Sequence, residues 1–152
     1  MIIRNIEFGS TEYAQEMDLR DRILRRPLGL SFSKEELARE GNDLHFGAFS
    51  GGKLLGCLVL SPLTDVVIKM RQVAVDSNSQ RAGIGKRLVK YSEEISRANG
   101  YSMIQLNARD AAVPFYLGLG YEVHGDVFEE VGIPHRKMRK HLVGGSKIPS
   151  DP

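Results

Sequence analysis

The stretch from Val73 to Asn99 passes from apolar to polar to amphipathic, and it limits the available folds more than any other part of the chain. Val73-Ala74-Val75 reads as the end of a buried strand, and Asp76-Ser77-Asn78-Ser79 as a polar loop. Gln80-Arg81-Ala82-Gly83-Ile84-Gly85-Lys86 then opens a helix over residues 83–99, on which Ile84, Leu88, Tyr91, Ile95 and Ala98 recur at helical spacing. Gly100 suits the left-handed residue that closes such a helix. The first turn of a helix carries four amides without internal partners and a partial positive charge, a combination suited to an anion. Gly83 and Gly85 remove Cβ atoms that would hold a bulky group off the backbone, and Arg81, Lys86 and Arg87 add charge. This is how a pyrophosphate is held. Two glycines in a first turn cost up to about 1 kcal/mol each relative to alanine, which favours an anion site over the alternative of an ordinary helix entry with two flexible residues. A triphosphate-binding loop is excluded because Lys86-Arg87-Leu88 lacks the required hydroxyl. The dinucleotide fingerprint fails at Leu88, where a third glycine belongs.

Around this segment the pattern predicts strands over residues 2–6, 44–49, 53–60, 66–75, 103–107, 121–124 and 136–142. Ser50-Gly51-Gly52 joins the second and third as a hairpin. Helices are expected over residues 12–24, 34–39 and 111–119, the first stopped by Pro27 and Gly29. Ser33 and Glu36 match a capping box at the start of the second. Helices, antiparallel strands and then a strand–helix–strand–helix–strand run imply an α/β fold with a mixed sheet.

At 152 residues the chain fits one domain, expected over residues 1–143, with a Gly/Ser/Pro-rich flexible tail over 144–152. Twenty-one basic residues against 19 acidic ones leave a net charge of +2 without a concentrated basic stripe, which argues against nucleic-acid partners, as do aromatics at 7%. Cys57 is the only cysteine and lies in the apolar run 54–60, so it reads as a buried inert thiol; a disulfide and a multi-cysteine metal site are excluded, and no metal is expected. No apolar run approaches the roughly 20 residues that span a bilayer. The start, Met1-Ile2-Ile3-Arg4-Asn5, lacks the order of a signal peptide, so no membrane partner is expected and the cytoplasm is the default.

A second motif lies downstream. Asn107 ends a strand, Ala111-Ala112-Val113-Pro114-Phe115-Tyr116 reads as a short helix, and Gly120-Tyr121 leads into the next strand. Together with Val73-Ala74-Val75 and Gln80-Arg81-Ala82-Gly83-Ile84-Gly85, this run resembles the GNAT superfamily of acetyl-CoA-dependent N-acetyltransferases, with a Gly-Ile-Pro-His segment at 132–135 similar to ElaA-like members. The resemblance implies a single-domain GNAT fold, a mixed and mostly antiparallel twisted sheet flanked by helices. It implies acetyl-CoA as co-substrate, with a small-molecule or peptide amine as acceptor in a ternary complex and a monomer or homodimer as the assembly. It places the pantetheine arm and thioester on Val73, Ala74 and Val75, and the pyrophosphate on Gln80, Arg81, Ala82, Gly83, Ile84, Gly85 and Lys86. Asn107 is the implied contact to the CoA arm, Phe115 a wall or core residue, and Tyr116 the residue facing the sulfur. A phenol ionises near 10 and a thiol near 8.5, so Tyr116 can keep a proton at neutral pH to offer a departing thiolate. Taken alone, Tyr116 is equally an aromatic of the core.

Some members of that superfamily carry a glutamate as base on the strand before Val73. Here the segment reads Lys69-Met70-Arg71-Gln72. His135, in the loop expected between the last two strands, is the candidate base because imidazole titrates near neutrality. Glu129, Glu130 and water are the alternatives. Arg20, Arg22, Arg25, Arg26 and Arg71 are candidates to bind an acidic acceptor, or are solvated charges. A CoA-binding sensor with little catalytic activity is the competing reading.

Overall fold

The apolar run 54–60 and the glycine turn before it form the hairpin that the pattern predicts. In the computed structural model, which describes residues 1–80 and 82–142, β2 (Leu44–Ser50) pairs antiparallel with β3 (Lys53–Pro62), and β1 (Ile2–Ile6) pairs with β2. The other strands are β4 (Val67–Val75), β5 (Met103–Arg109), β6 (Glu122–Val123), β7 (Phe128–Glu130) and β8 (Ile133–His141). Their order is β1-β2-β3-β4-β5-β8-β6, with β7 on β8. β4 and β5 pair parallel, while β5–β8, β6–β8 and β7–β8 pair antiparallel. This is the mixed, mostly antiparallel α/β sheet expected, accompanied by α1 (Thr11–Arg20), α2 (Lys34–Ala38), α3 (Ile84–Ala98) and α4 (Val113–Gly118). The expected tail, 144–152, lies outside the described residues. No helix among the described residues is long and apolar enough to cross a membrane.

Contacts gather the chain into two compact units, the first of residues 1–61 and 72–92, the second of 62–71 and the residues from 93 on. In the first unit, Ile6, Leu19, Phe49, Leu54, Cys57 and Ala74 form a buried cluster against which Met17, Ile23 and Leu24 pack. Gly56 lets this core close: a Cβ there would stand 3.0 Å from side-chain atoms of both Ile84 and Leu88. Cys57 is fully buried, and that burial pushes its thiol well above the usual range, in line with an inert residue. The capping box at Ser33 and Glu36 is present, each side chain bonded to the other's amide.

The first helix departs from its expected length. Its regular turns end at Arg20, and residues Asp21–Arg25 continue as one widened turn before Gly29 closes the segment at φ 71°. Arg20 also corrects the reading of it as an acceptor-binding or solvated charge. It is completely buried, donating to Glu16 Oε2 at 2.7 Å and to both oxygens of Glu40 at 2.8 and 2.6 Å. Tyr13 donates to Glu40 at 2.9 Å. His45 completes the group, with Nδ1 3.0 Å from Glu16 Oε2 and Nε2 3.0 Å from the Glu40 carbonyl. Both ring nitrogens face acceptors, which suits the doubly protonated imidazolium. The alternating hydrophobicity of β2 gave no hint of so polar a centre beneath it.

In the second unit, Ile68, Met70, Ile104, Leu106, Ala108 and Met138 are buried from alternate positions of β4, β5 and β8. Tyr121 donates to Glu93 Oε2 at 2.9 Å, and Lys140 reaches the same carboxylate at 3.1 Å. The loop expected before the last strand is instead a hairpin. Glu130 pairs with Ile133 across Val131 and Gly132, both at positive φ (47° and 78°), as a tight two-residue turn of right-twisted strands demands.

The ionisation of His45 makes the buried group testable. Burial acts against the charged ring, but the Glu16 hydrogen bond and charge, with the Glu40 carbonyl and carboxylate, outweigh it and raise the pKa. A folded pKa raised above the unfolded one, about 6.5, contributes stability that is complete below that value and lost as pH rises through the folded pKa. Glu40, held low by Arg20 despite its burial, acts in the opposite sense at acid pH. Urea unfolding of the wild type across pH 6 to 9 is therefore expected to show stability falling with rising pH. In His45→Gln that slope should flatten, at lower stability throughout the acid part of the range.

Candidate active site

A strand can bring backbone groups to a ligand only where its neighbour stops using them. β4 has such a place. It pairs with β5 from Val67↔Met103 to Met70↔Leu106, and at Gln72 its backbone takes φ 54°, a left-handed conformation uncommon for a residue with a side chain. In the first unit the Gln72 carbonyl accepts from the Cys57 thiol at 3.6 Å, and the Asp76 amide donates to the Leu55 carbonyl at 2.8 Å. These bonds hold the strand end on which Val73, Ala74 and Val75 lie, Ala74 buried and the two valines half-buried.

Asp76, itself 4% exposed, accepts from the Asn78 amide at 3.0 Å and shapes the loop that follows. Gln80 Nε2 donates to the Val75 carbonyl at 3.2 Å, tying the loop to the strand end. Gly83 has φ 76°, so glycine is favoured there by backbone conformation alone, and a Cβ at that position would meet open space. α3 starts at Ile84, with Gly85 half-buried and Ala82 and Lys86 exposed around its first turn. The first unit thus brings Val73 to Val75, Gln80 and the opening of α3 into one continuous loop-and-turn structure. Arg81 lies outside the described residues.

The second unit carries the other candidates. Tyr116 on α4 is 7% exposed, with its ring edge-on to Phe115 at 5.0 Å and to Tyr121 at 5.7 Å. Burial alone pushes its ionisation up, so the phenol keeps its proton well into alkaline pH. Phe115 is 40% exposed, which favours a wall over a core position. Asn107 Nδ2 donates to Glu130 Oε1 at 3.2 Å. His135 is on β8 itself rather than in a loop, 3% exposed and paired across the sheet with Arg109 and Phe128. Its Nδ1 meets the Ile133 carbonyl at 2.9 Å, and Nε2 faces Glu130 Oε2 at 3.7 Å.

Glu130 therefore joins Asn107 to His135, a link that its reading as an alternative base did not include. The signal available was the Val131-Gly132 dipeptide, a two-residue turn that puts Glu130 on a strand beside β8. Of the arginines considered for an acidic acceptor, Arg22 pairs with Asp18 at 2.9 Å, Arg25 with Glu36 at 3.2 Å and Arg26 with Asp21 at 2.7 Å, as the alternative reading of them as surface charges expects.

This strand–loop–helix unit, joined in one chain to a strand–helix–strand unit bearing a buried tyrosine, defines the N-acetyltransferase class of α/β fold. The chain belongs to the family described as acetyltransferase (GNAT) domain, whose model matches residues 30–142. It is 32% identical over 102 residues to an uncharacterized N-acetyltransferase of Bacillus subtilis, YjcF, covering 66% of this chain and 72% of that one. The matched stretch spans 50% and 63% of the length of two other curated relatives. The fold is similar to an aminoglycoside 6'-N-acetyltransferase complexed with coenzyme A (TM-score 0.81, 21% identity, 94% and 98% of the two chains). It is similar also to Escherichia coli ElaA (TM-score 0.77, 16% identity, 91% and 98%). At these identities both likenesses concern the fold alone, and they do not separate the ElaA branch from the other.

The left-handed Gln72 gives the strand geometry a direct check. Strand propensity favours valine at a β position, but a β-branched side chain at positive φ is strained. Gln72→Val is expected to lower stability, because a β-branched side chain adds to the strain that glutamine already carries at positive φ. Gln72→Gly should not, and urea denaturation of the pair decides between them.

Proposed function

We propose that the chain transfers an acetyl group from acetyl-CoA to an amine by direct attack in a ternary complex. The observation that carries this reading is the first unit's strand end and helix opening. β4 residues beyond the last registered pair with β5 lead through a braced loop into a glycine-containing first turn of α3. Such a turn offers amides and positive potential to a pyrophosphate, while Val73, Ala74 and Val75 offer backbone groups to the pantetheine arm. Ala82, Gly83, Ile84, Gly85 and Lys86, with Gln80 and Arg81, form the proposed pyrophosphate loop. The backbone amide of Val73 is the proposed donor to the oxyanion that forms as the amine attacks.

Tyr116 is the proposed acid or hydrogen-bond donor toward the leaving thiolate; burial keeps the proton on the phenol at working pH, so it can donate a hydrogen bond there. Asn107 is proposed to hold the CoA arm, and Phe115 to wall it. His135 is the proposed proton acceptor for the incoming ammonium. The observation behind it is Glu130, which faces His135 Nε2 and would stabilise the imidazolium that forms. The names of the solved neighbours include aminoglycoside acetyltransferases, but at 21% identity their acceptor does not transfer to this chain. Soluble amines and the assembly state, monomer or homodimer, belong to the same proposal.

Two variants separate binding from chemistry. Gly85→Val is expected to weaken acetyl-CoA binding by calorimetry while the folded spectrum is unchanged. Tyr116→Phe is expected to lower turnover by roughly 10²- to 10⁴-fold with acetyl-CoA affinity intact. Wild-type affinity in folded Gly85→Val would count against the pyrophosphate loop, and wild-type turnover in Tyr116→Phe would reduce Tyr116 to a packing residue.

His135 needs a test of its own, with an acceptor amine of low pKa so that the amine's own ionisation stays out of the profile. The wild-type rate is expected to show an acidic limb that is absent in His135→Gln, with reduced turnover. The same limb in the variant would assign the proton to Glu130 or water and leave His135 as a residue of the sheet.

A further inference from the structure

The loop between β4 and α3 turns on one buried side chain. Asp76 is fastened on every side within the first unit. Its amide donates to the Leu55 carbonyl at 2.8 Å, which ties the end of β4 to β3. Its carbonyl accepts from the Ser79 amide at 2.9 Å, and its Oδ1 accepts from the Asn78 amide at 3.0 Å. Together these close a 3₁₀ turn over Ser77–Ser79. Its Oδ2 faces Lys53 Nζ, at the start of β3, across 3.8 Å. From this turn the chain is guided into α3. The Ala82 amide donates to the Ser79 carbonyl at 3.4 Å, and the Arg87 amide to the Gly83 carbonyl at 3.0 Å.

Two properties of Asp76 bear on the loop, its charge and its acceptor oxygen. Burying a carboxylate is unfavourable, and a negative charge in a loop that is to hold a pyrophosphate opposes the ligand. Lys53 offsets little of this, because it is largely exposed and stands beyond hydrogen-bond distance. The acceptor oxygen carries no such penalty. A short polar side chain before a helical turn takes an amide that the turn leaves unpaired, and asparagine does this as well as aspartate.

Resting on the reading of this loop as the pyrophosphate site of acetyl-CoA, we propose that Asp76 is its positioning residue. It touches no ligand. By holding the Asn78 amide, its Oδ1 keeps the Ser77–Ser79 turn closed, and the closed turn aims the amides of residues 82–86 at the pyrophosphate. The acceptor oxygen does this, and the charge contributes nothing to affinity.

Calorimetry with CoA separates the two properties. Asp76→Ala is expected to bind CoA about tenfold more weakly than the wild type, the order of one misdirected hydrogen bond to a charged group. Asp76→Asn keeps the acceptor and loses the charge, so it should bind at least as tightly as the wild type. Asp76→Glu keeps the charge and displaces the acceptor by one methylene, so it should resemble Asp76→Ala. Lys53→Gln should leave the affinity unchanged. Wild-type affinity in folded Asp76→Ala, a loss in Asp76→Asn equal to that in Asp76→Ala, or a comparable loss in Lys53→Gln would each overturn the proposal. Should Asp76→Ala not fold, the contrast between Asp76→Asn and Asp76→Glu decides, and equal affinities in that pair would overturn it. In ¹⁵N-labelled protein, inorganic pyrophosphate is expected to shift the amides of residues 82–86 in the wild type and in Asp76→Asn, and to leave them in place in Asp76→Glu. Equal shifts in all three would overturn the proposal as well. A wild type that binds neither CoA nor pyrophosphate would defeat the acetyl-CoA reading and this inference with it, whereas CoA binding indifferent to residue 76 would defeat the inference alone.

Discussion

The structure depends on what β4 does after Met70. Up to that residue it is an ordinary parallel partner of β5, and two residues later it carries a left-handed Gln72. The cost of the left-handed residue is met locally. Cys57 donates to the Gln72 carbonyl and Leu55 accepts from Asp76, so β3 holds the strand end in place. Gly56 between them lets Ile84 and Leu88 of α3 approach within contact distance. The helix opening is thereby fixed to the strand end by packing, and the loop between is braced by Gln80.

The buried group under α1 serves a different purpose in the same unit. Two carboxylates, a guanidinium and an imidazole with no exposure are costly to desolvate, and such a set is weak evidence for extra stability. Its value is in specifying one arrangement, because removing any charge leaves another uncompensated. It ties Glu16 and Arg20 of α1, Glu40 after α2 and His45 of β2 to one another. Glu16, Glu40 and His45 also have the donor types of a metal site, with their atoms within 4.8 Å of one another. Arg20 already bonds both carboxylates, so the charge a cation would supply is present in the chain itself.

How much of this was legible in the sequence follows from the range of the interactions involved. The β2–β3 hairpin, the long helix, the capping box and the strand–loop–helix unit rest on neighbours within a few residues, and they were readable to within a residue or two. The GNAT fold followed from two motifs whose spacing is local in the same sense. Arg20 was not readable, because its partner Glu40 is twenty residues away and nothing in either neighbourhood announces the other. The i, i+4 spacing of Glu16 and Arg20 was the one clue, and on most helices that spacing marks a solvated pair. β7 was missed because three residues are too few to show alternation, so His135 was put in a loop and Glu130 in solvent.

The charge of β4 bears on the residue that is missing. Some members of the superfamily have a carboxylate on the strand before Val73, which can take a proton from the acceptor. Here Lys69 and Arg71 occupy that stretch, and the local charge is reversed. A positive field lowers the pKa of an ammonium brought near it, since the neutral amine escapes a repulsion that the ammonium suffers. On the acetyl-transfer reading, such a field would favour the form of the acceptor amine that attacks. Less would then be asked of any one base. His135 would need only to carry the proton away, with Glu130 at 3.7 Å to steady the charge that it gains. A carboxylate restored at Lys69 would undo that effect, because it would stabilise the ammonium.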